Sequence, residues 1–177
     1  MALDSRRLRN LVDKAVAGDR EALAGALAVV HRRLIGLAYG ICCDQALAED
    51  AVQDADARAI LGVGKLRDPA AFVTWIERVT VRSSLDQLRW STRSVPTDAV
   101  PELPTASMDH IGRLTVRDAL RQLPAQQRAT VVLFYWLDMP IDAIATTLAC
   151  EEGTVKSRLA RARELLANLL EVDSLNA

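Results

Sequence analysis

PIDAIATTLACEEGTVKSRLARARELL, residues 140–166, reads as two short helices meeting at a three-residue corner. Ile141, Ile144, Ala145 and Leu148 fall at helical spacing and form one apolar stripe; Val155, Leu159, Ala162 and Leu166 form a second. Two stripes facing each other make one small core. Ala145 is small enough to let the helices cross closely, and Ala149-Cys150-Glu151 supplies the corner, the layout of a helix-turn-helix. With the stripe buried, Thr154, Ser157, Arg158 and Arg161 point outward together and Lys156 and Arg163 flank them. A phosphate backbone attracts such a face, and a groove is read by it.

An Arg-rich surface on an amphipathic helix is equally well a solvated face, and helix pairs of this pattern also occur in structural modules. The corner and the small crossing residue favour nucleic-acid binding.

Working outward, 177 residues make one domain or two small ones. Half are apolar, with only 8 Gly and 6 Pro, which favours a compact, largely helical chain. The net charge of −1 excludes a polycation that coats nucleic acid indiscriminately, so binding has to come from local patches. Cys42 and Cys43 are adjacent and Cys150 sits in the corner, which gives neither a disulfide framework nor a CxxC metal pair. A reduced, cytoplasmic protein is expected. His31 and His110 have no Cys or His partner at ligand spacing, so no metal or other cofactor is expected. Neither a signal peptide nor an apolar run of membrane length is read, so membrane insertion is not expected.

The chain opens with a helix from about Leu3 to Ala17, ended by Gly18, and Asp19 caps the next, about Arg20 to Cys42. That helix carries Leu23, Leu27, Val30, Leu34, Leu37, Ala38 and Ile41 on one side, a core pattern. Asp44 caps a third helix, Gln45 to about Leu61, whose exposed face is acidic: Glu49, Asp50, Asp54 and Asp56, with Gln53 among them. These acids either stabilise the helix start or offer a docking face to a basic partner. Gly62, Gly64, Lys65 and Arg67 mark a loop, and Asp68-Pro69 starts a helix reaching Trp90. Phe72, Ile76, Val79 and Leu88 or their neighbours, with Trp75, are its expected core, and Arg78, Arg82, Ser83, Asp86 and Arg89 its other face.

From Ser91 to about Asp109, Pro96, Pro101 and Pro104 with Asp98 and Glu102 read as a mildly acidic, flexible linker. The expected architecture is all-α: a helical domain over 1–90, a linker over 91–110, and a second domain over 111–177. The second begins with helices near Ile111–Gln122 and Ala125–Trp136, ahead of the helix-turn-helix.

The run LPAQQRATVVLFYWLDMPIDAIATTLACEEGTVKSRLARARELL resembles region four of bacterial RNA polymerase sigma factors of the extracytoplasmic-function group, most closely through GTVKSRLARAR and QLPAQQR. AEDAVQD, Ala48 to Asp54, resembles the polymerase-binding helix of the family's region two, and FVTWIERVTVRSSLDQLR its promoter-melting helix, through Phe72, Trp75, Asp86 and Arg89. The resemblance implies a dissociable, non-enzymatic initiation subunit with two partners, core RNA polymerase and promoter DNA. Glu49, Asp50, Gln53 and Asp54 would dock on the polymerase. Lys65, Arg67, Arg78, Arg82 and Arg89 would capture and unstack the minus-ten element. Thr154, Lys156, Ser157, Arg158, Arg161 and Arg163 would read the minus-thirty-five element. The resemblance also admits an anti-sigma factor as a third partner, one that wedges between the domains.

Several positions depart from that pattern. Asp56 stands where a large aromatic is usual, Ile60 where Trp is common, and Arg82 in place of a common Asn. Pro140 takes the usual Ser or Thr capping place, Ala143 the usual Glu, and Ala149 the usual Gly of the corner. The alternative reading is a stand-alone helix-turn-helix regulator with an N-terminal sensor or dimerisation domain, which needs neither the acidic face nor the FVTWIERV helix. No catalytic triad or phosphate-cradling loop appears, and Gly62-Val63-Gly64-Lys65 lacks P-loop spacing.

Overall fold

The computed structural model describes residues 5–93 and 116–175, and the side chains of 6–91 and 118–169. Of the expected linker over 91–110, residues 91–93 are helical instead, and residues 94–110, like the expected helix start at 111–115 and Leu3 and Asp4, lie outside the described residues. Among the described residues every regular element is helical, and the chain divides into two compact units after Asp86.

In the first unit, α1 (Ser5–Val16) buries Leu8, Val12 and Ala15. Gly18, at φ +101°, ends it in a conformation that only glycine adopts without cost. Asp19 then caps α2 (Arg20–Cys42), its carboxylate accepting from the Ala22 amide at 3.0 Å. The apolar side of α2 is core as expected, with Val30, Leu34, Leu37, Ala38 and Ile41 fully buried. By length and composition α2 could cross a membrane, which corrects the expectation that no such run exists. Its apolar stripe is instead packed inside the unit, each large side chain contributing about 1.5–3 kcal/mol by burial.

Asp44 caps α3 (Gln45–Gly62) through the Leu47 amide at 2.9 Å. The buried side of α3 is almost all alanine: Ala48, Ala51, Ala55 and Ala59, with Val52. Such a seam lets α3 lie close along α2 and fixes its outer face in turn. The expected glycine loop is shorter and tighter than an open loop, since Gly62 closes α3 and Val63–Lys65 form a 3-10 turn anchored by buried Val63.

Asp68 caps the next element as expected, accepting from the Ala70 amide at 2.9 Å, but Pro69–Ala71 is a 3-10 turn and the α-helix, α4 (Phe72–Arg93), starts three residues later and continues past Trp90. Phe72 and Ile76 are core as expected, whereas Val79 is half-buried and packs against the core, Leu88 is half-buried, and Val81 and Leu85 are buried instead. The buried stripe also holds Glu77, Thr80, Ser83 and Ser84. Glu77 pairs with Arg33 of α2, while the Thr80 and Ser84 hydroxyls donate to the carbonyls of Ile76 and Thr80. Satisfied polar groups thus occupy core positions that an apolar pattern cannot reveal. Trp75 is partly buried as a lid on this core, close enough to Gly62 that a Cβ there would sit 2.8 Å from its ring.

The second unit contains α5 (Val116–Gln122), α6 (Ala125–Tyr135), α7 (Ile141–Leu148) and α8 (Glu152–Leu175). Leu123, Ala129, Val132, Leu133, Ile144, Ala145, Val155, Leu159 and Ala162 form its core. Arg128 is buried in the QLPAQQR motif, where its guanidinium donates to the carbonyls of Leu120, Arg121 and Leu123, each at 3.4 Å, and closes the end of α5.

Candidate nucleic-acid interface

The corner of the second unit is built as the sequence suggests. Ala149 takes the left-handed conformation at φ 50°, and the Cys150 amide donates to the Ala145 carbonyl at 3.0 Å. Glu151 begins the second helix, its carbonyl accepting from Thr154 and Val155. Val155, Leu159 and Ala162 pack inward, with Ala145 at the crossing. The second helix is not short: α8 runs for 24 residues, to Leu175.

At about 100° per residue, the α8 cations separate into two groups. Thr154, Ser157, Arg158 and Arg161 share one flank of the helix, Ser157 and Arg161 exposed and Thr154 and Arg158 half-buried beside the core stripe. Ser157 donates to the Thr154 carbonyl at 2.9 Å, and half-buried Arg158 reaches the Cys150 thiol at 3.7 Å, which draws its guanidinium toward the corner. Lys156 and Arg163 do not flank that face as expected, because Arg163 lies about 140° around the axis from Arg158. Its Nε donates to the Tyr135 hydroxyl at 2.8 Å, and its guanidinium stands 5.9 and 5.8 Å from the Phe134 and Tyr135 ring centroids. Lys156 lies on the same side, 3.9 Å from Glu152. An open concavity at the corner is lined by Asp142, Glu151 and Glu152 together with Ala149 and Cys150, which makes that hollow acidic.

In the first unit, Glu49, Asp50 and Gln53 are exposed on one side of α3, Glu49 accepting from Gln45 at 2.6 Å. Asp54 turns toward α4, where it accepts from the Ser83 hydroxyl at 2.7 Å and pairs with Arg58 at 2.9 Å; Arg58 also reaches Asp86 at 3.3 Å. Asp56 is not part of the exposed acidic face. It is half-buried, one carboxylate oxygen is enclosed without a partner, and burial raises its pKa, partly offset by the charge of His31.

The five basic residues read in the first half are not one cluster. Lys65 and Arg67 are exposed at the turns before α4. Arg78 and Arg82 lie one turn apart on α4, and Arg89 two turns further along it. Arg82 and Arg89 are exposed, whereas Arg78 is half-buried with its Nε enclosed. Ser83, read on the same outward face, is fully buried.

The family model described as Sigma-70 region 2 matches residues 28–94, and that described as Sigma-70, region 4 matches residues 113–166. The ECF RNA polymerase sigma factor SigM of Mycobacterium tuberculosis is 38% identical over 157 residues, covering 88% of this chain and 80% of that protein. The chain belongs to the extracytoplasmic-function sigma factors. The RNA polymerase sigma factor SigV of Bacillus subtilis is 28% identical over 142 residues, covering 79% of this sigma factor and 86% of that one. A solved structure of the sigma factor RpoE in complex with the anti-sigma factor NepR from Bartonella quintana matches with a TM-score of 0.64 at 26% identity, covering 85% of this chain and 97% of that one. The protein is therefore an all-helical sigma factor that directs transcription initiation.

Sequence reasoning missed the residues that hold this sigma factor's surfaces in place. Arg58 carried a signal, since Asp54 and Arg58 are four apart on one helix. Arg33 with Glu77 joins helices 44 positions apart and carried none.

Proposed function

We propose that α8 enters the major groove of the minus-thirty-five element and reads it through Thr154, Ser157, Arg158 and Arg161, while Lys156 and Arg163, on another side of the helix, reach no base. The observation that carries this reading is the grouping of those four residues on one flank of a helix that is locked into the core by Val155, Leu159 and Ala162. Glu49, Asp50 and Gln53 dock on core RNA polymerase, with Asp54 holding their helix against α4. Lys65, Arg67, Arg78, Arg82 and Arg89 serve minus-ten capture and melting. The functional domains correspond to the two halves read from the sequence, 1–90 and 111–177, with α4 of the first running on to Arg93. The place of work is the cytoplasm, and the subunit acts by binding alone, without catalysis or cofactor.

Two weak DNA readers on one chain gain affinity when the polymerase fixes their spacing. A net charge of −1 keeps the free subunit off bulk DNA, because non-specific affinity grows with the phosphates neutralised. The relative RpoE was solved with an anti-sigma factor, and the same class of inhibitory partner is proposed here.

Run-off transcription from genomic fragments, with bacterial core polymerase plus and minus the protein, tests the reading. Protein-dependent transcripts from defined starts are expected. Arg158→Ala should cost about 1–3 kcal/mol in promoter binding and relax preference at one base position. No transcript and no co-elution with core would instead favour a stand-alone regulator.

A further inference from the structure

Two kinds of cation occupy the first unit. Arg33 and Arg58 are committed to internal ion pairs with Glu77, Asp54 and Asp86. Those of α1 and of the turns packed against it are exposed, and among the described residues Arg6, Arg7, Arg9, Lys14, Lys65 and Arg67 make no ion pair. Four cations against the single acid Asp13 make α1 the most basic helix of this unit.

The geometry sorts these cations by edge. Gly64 approaches the Val16 carbonyl, to within 4.0 Å of where its Cβ would be, so the turn carrying Lys65 lies on the Val16 side of α1. Arg9 is seven residues before Val16 and therefore within about 20° of it around the axis, and Arg6, one turn earlier, lies about 80° from Val16 on the solvent side of Arg9. Arg7 and Lys14 lie about 160–180° from Val16. Leu11, against which Gly25 of α2 packs, is also turned away from Val16. Arg6 and Arg9 thus extend the exposed basic surface of Lys65 and Arg67, whereas Arg7 and Lys14 do not.

We propose that Arg6 and Arg9 of α1 join Lys65 and Arg67 in a phosphate-binding strip that grips the promoter backbone beside the strand-capturing turn, an inference that rests on the role proposed above for Lys65 and Arg67. Its ligand is the phosphodiester backbone, without regard to base. Unpaired, solvated guanidinium groups suit this task because they release counterions from DNA without first breaking an internal pair.

The test uses holoenzyme reconstituted from core polymerase and the full chain, with a fluorescent duplex promoter fragment recovered in the run-off assay. The slope of log affinity against log salt falls by about 0.9 for each phosphate that is no longer neutralised. Arg6→Ala/Arg9→Ala should therefore flatten it by about one to two, with affinity for core unchanged. Arg7→Ala/Lys14→Ala removes the same charge from the opposite edge and should leave the slope as it is. A flattening by Lys65→Ala/Arg67→Ala but not by Arg6→Ala/Arg9→Ala would reduce α1 to a solvated face and leave the proposed function standing. Equal flattening by both α1 pairs would reduce the effect to net charge and overturn the strip. Failure to obtain any protein-dependent promoter would remove the proposed function and the strip with it.

Discussion

Asp56 sits half-buried where a carboxylate is poorly served, with one oxygen enclosed and unpartnered and its pKa raised by burial. A carboxyl whose folded pKa lies above its unfolded value costs nothing below the unfolded value and its full penalty above the folded one. Stability at this site is therefore lost as pH rises through the raised pKa. Asp56→Asn should melt higher than the parent near pH 7, and the gap should close as pH falls toward about 4, measured by thermal melts across that range. A gap constant with pH would mean the carboxylate is solvated. Ala149 tells a simpler story. It occupies φ 50°, where a Cβ is strained, so Ala149→Gly should stabilise the second unit by about 0.5–1 kcal/mol in denaturant titrations. The sequence exposed both residues as departures from a family pattern, but only the folded chain reveals that one is enclosed and the other bent.

Helices and their caps were legible because their signals are local. Asp19, Asp44 and Asp68 each accept the amide expected of a cap, and the corner residues 149–151 bend as read. What was not legible is how α4 is aligned. Ser83 bonds to Asp54, Arg58 bridges to Asp86, and Arg33 pairs with Glu77, interactions between residues 28 to 44 apart that leave no periodic trace. Hydrophobic patterning therefore put Ser83 on the outer face although it is fully buried. Ser83→Ala should cost about 1 kcal/mol by leaving Asp54 one donor short, measured by urea unfolding. Combined with Arg58→Ala the loss should be non-additive, since both donors serve one carboxylate.

Across the whole molecule, the surfaces assigned to polymerase and to DNA differ in how much structure they also support. Asp50 is exposed and Asp54 is bonded inward, although the sequence placed both on one acidic face. Asp50→Ala should weaken binding to core polymerase by on the order of 1 kcal/mol, several-fold, with the melting temperature unchanged. Asp54→Ala should lower both affinity and melting temperature. Pull-down titration against core alongside thermal melts separates the two, and equal behaviour of the variants would contradict the division of roles. The same distinction limits what composition could say. A net charge of −1 averages over an acidic α3, a basic α1 and an α8 whose cations are themselves divided between two sides of the helix.

The alanine seam between α2 and α3 ties the history of the outer surface to that of the interior. Where Ala48, Ala51, Ala55 and Ala59 meet the neighbouring helix, a larger side chain would push α3 outward and carry Glu49, Asp50 and Gln53 with it. A substitution on the exposed side of α3 changes one side chain at a time, whereas one in the seam moves the whole face. Once the seam widens, any partner fitted to that face has to be refitted to it.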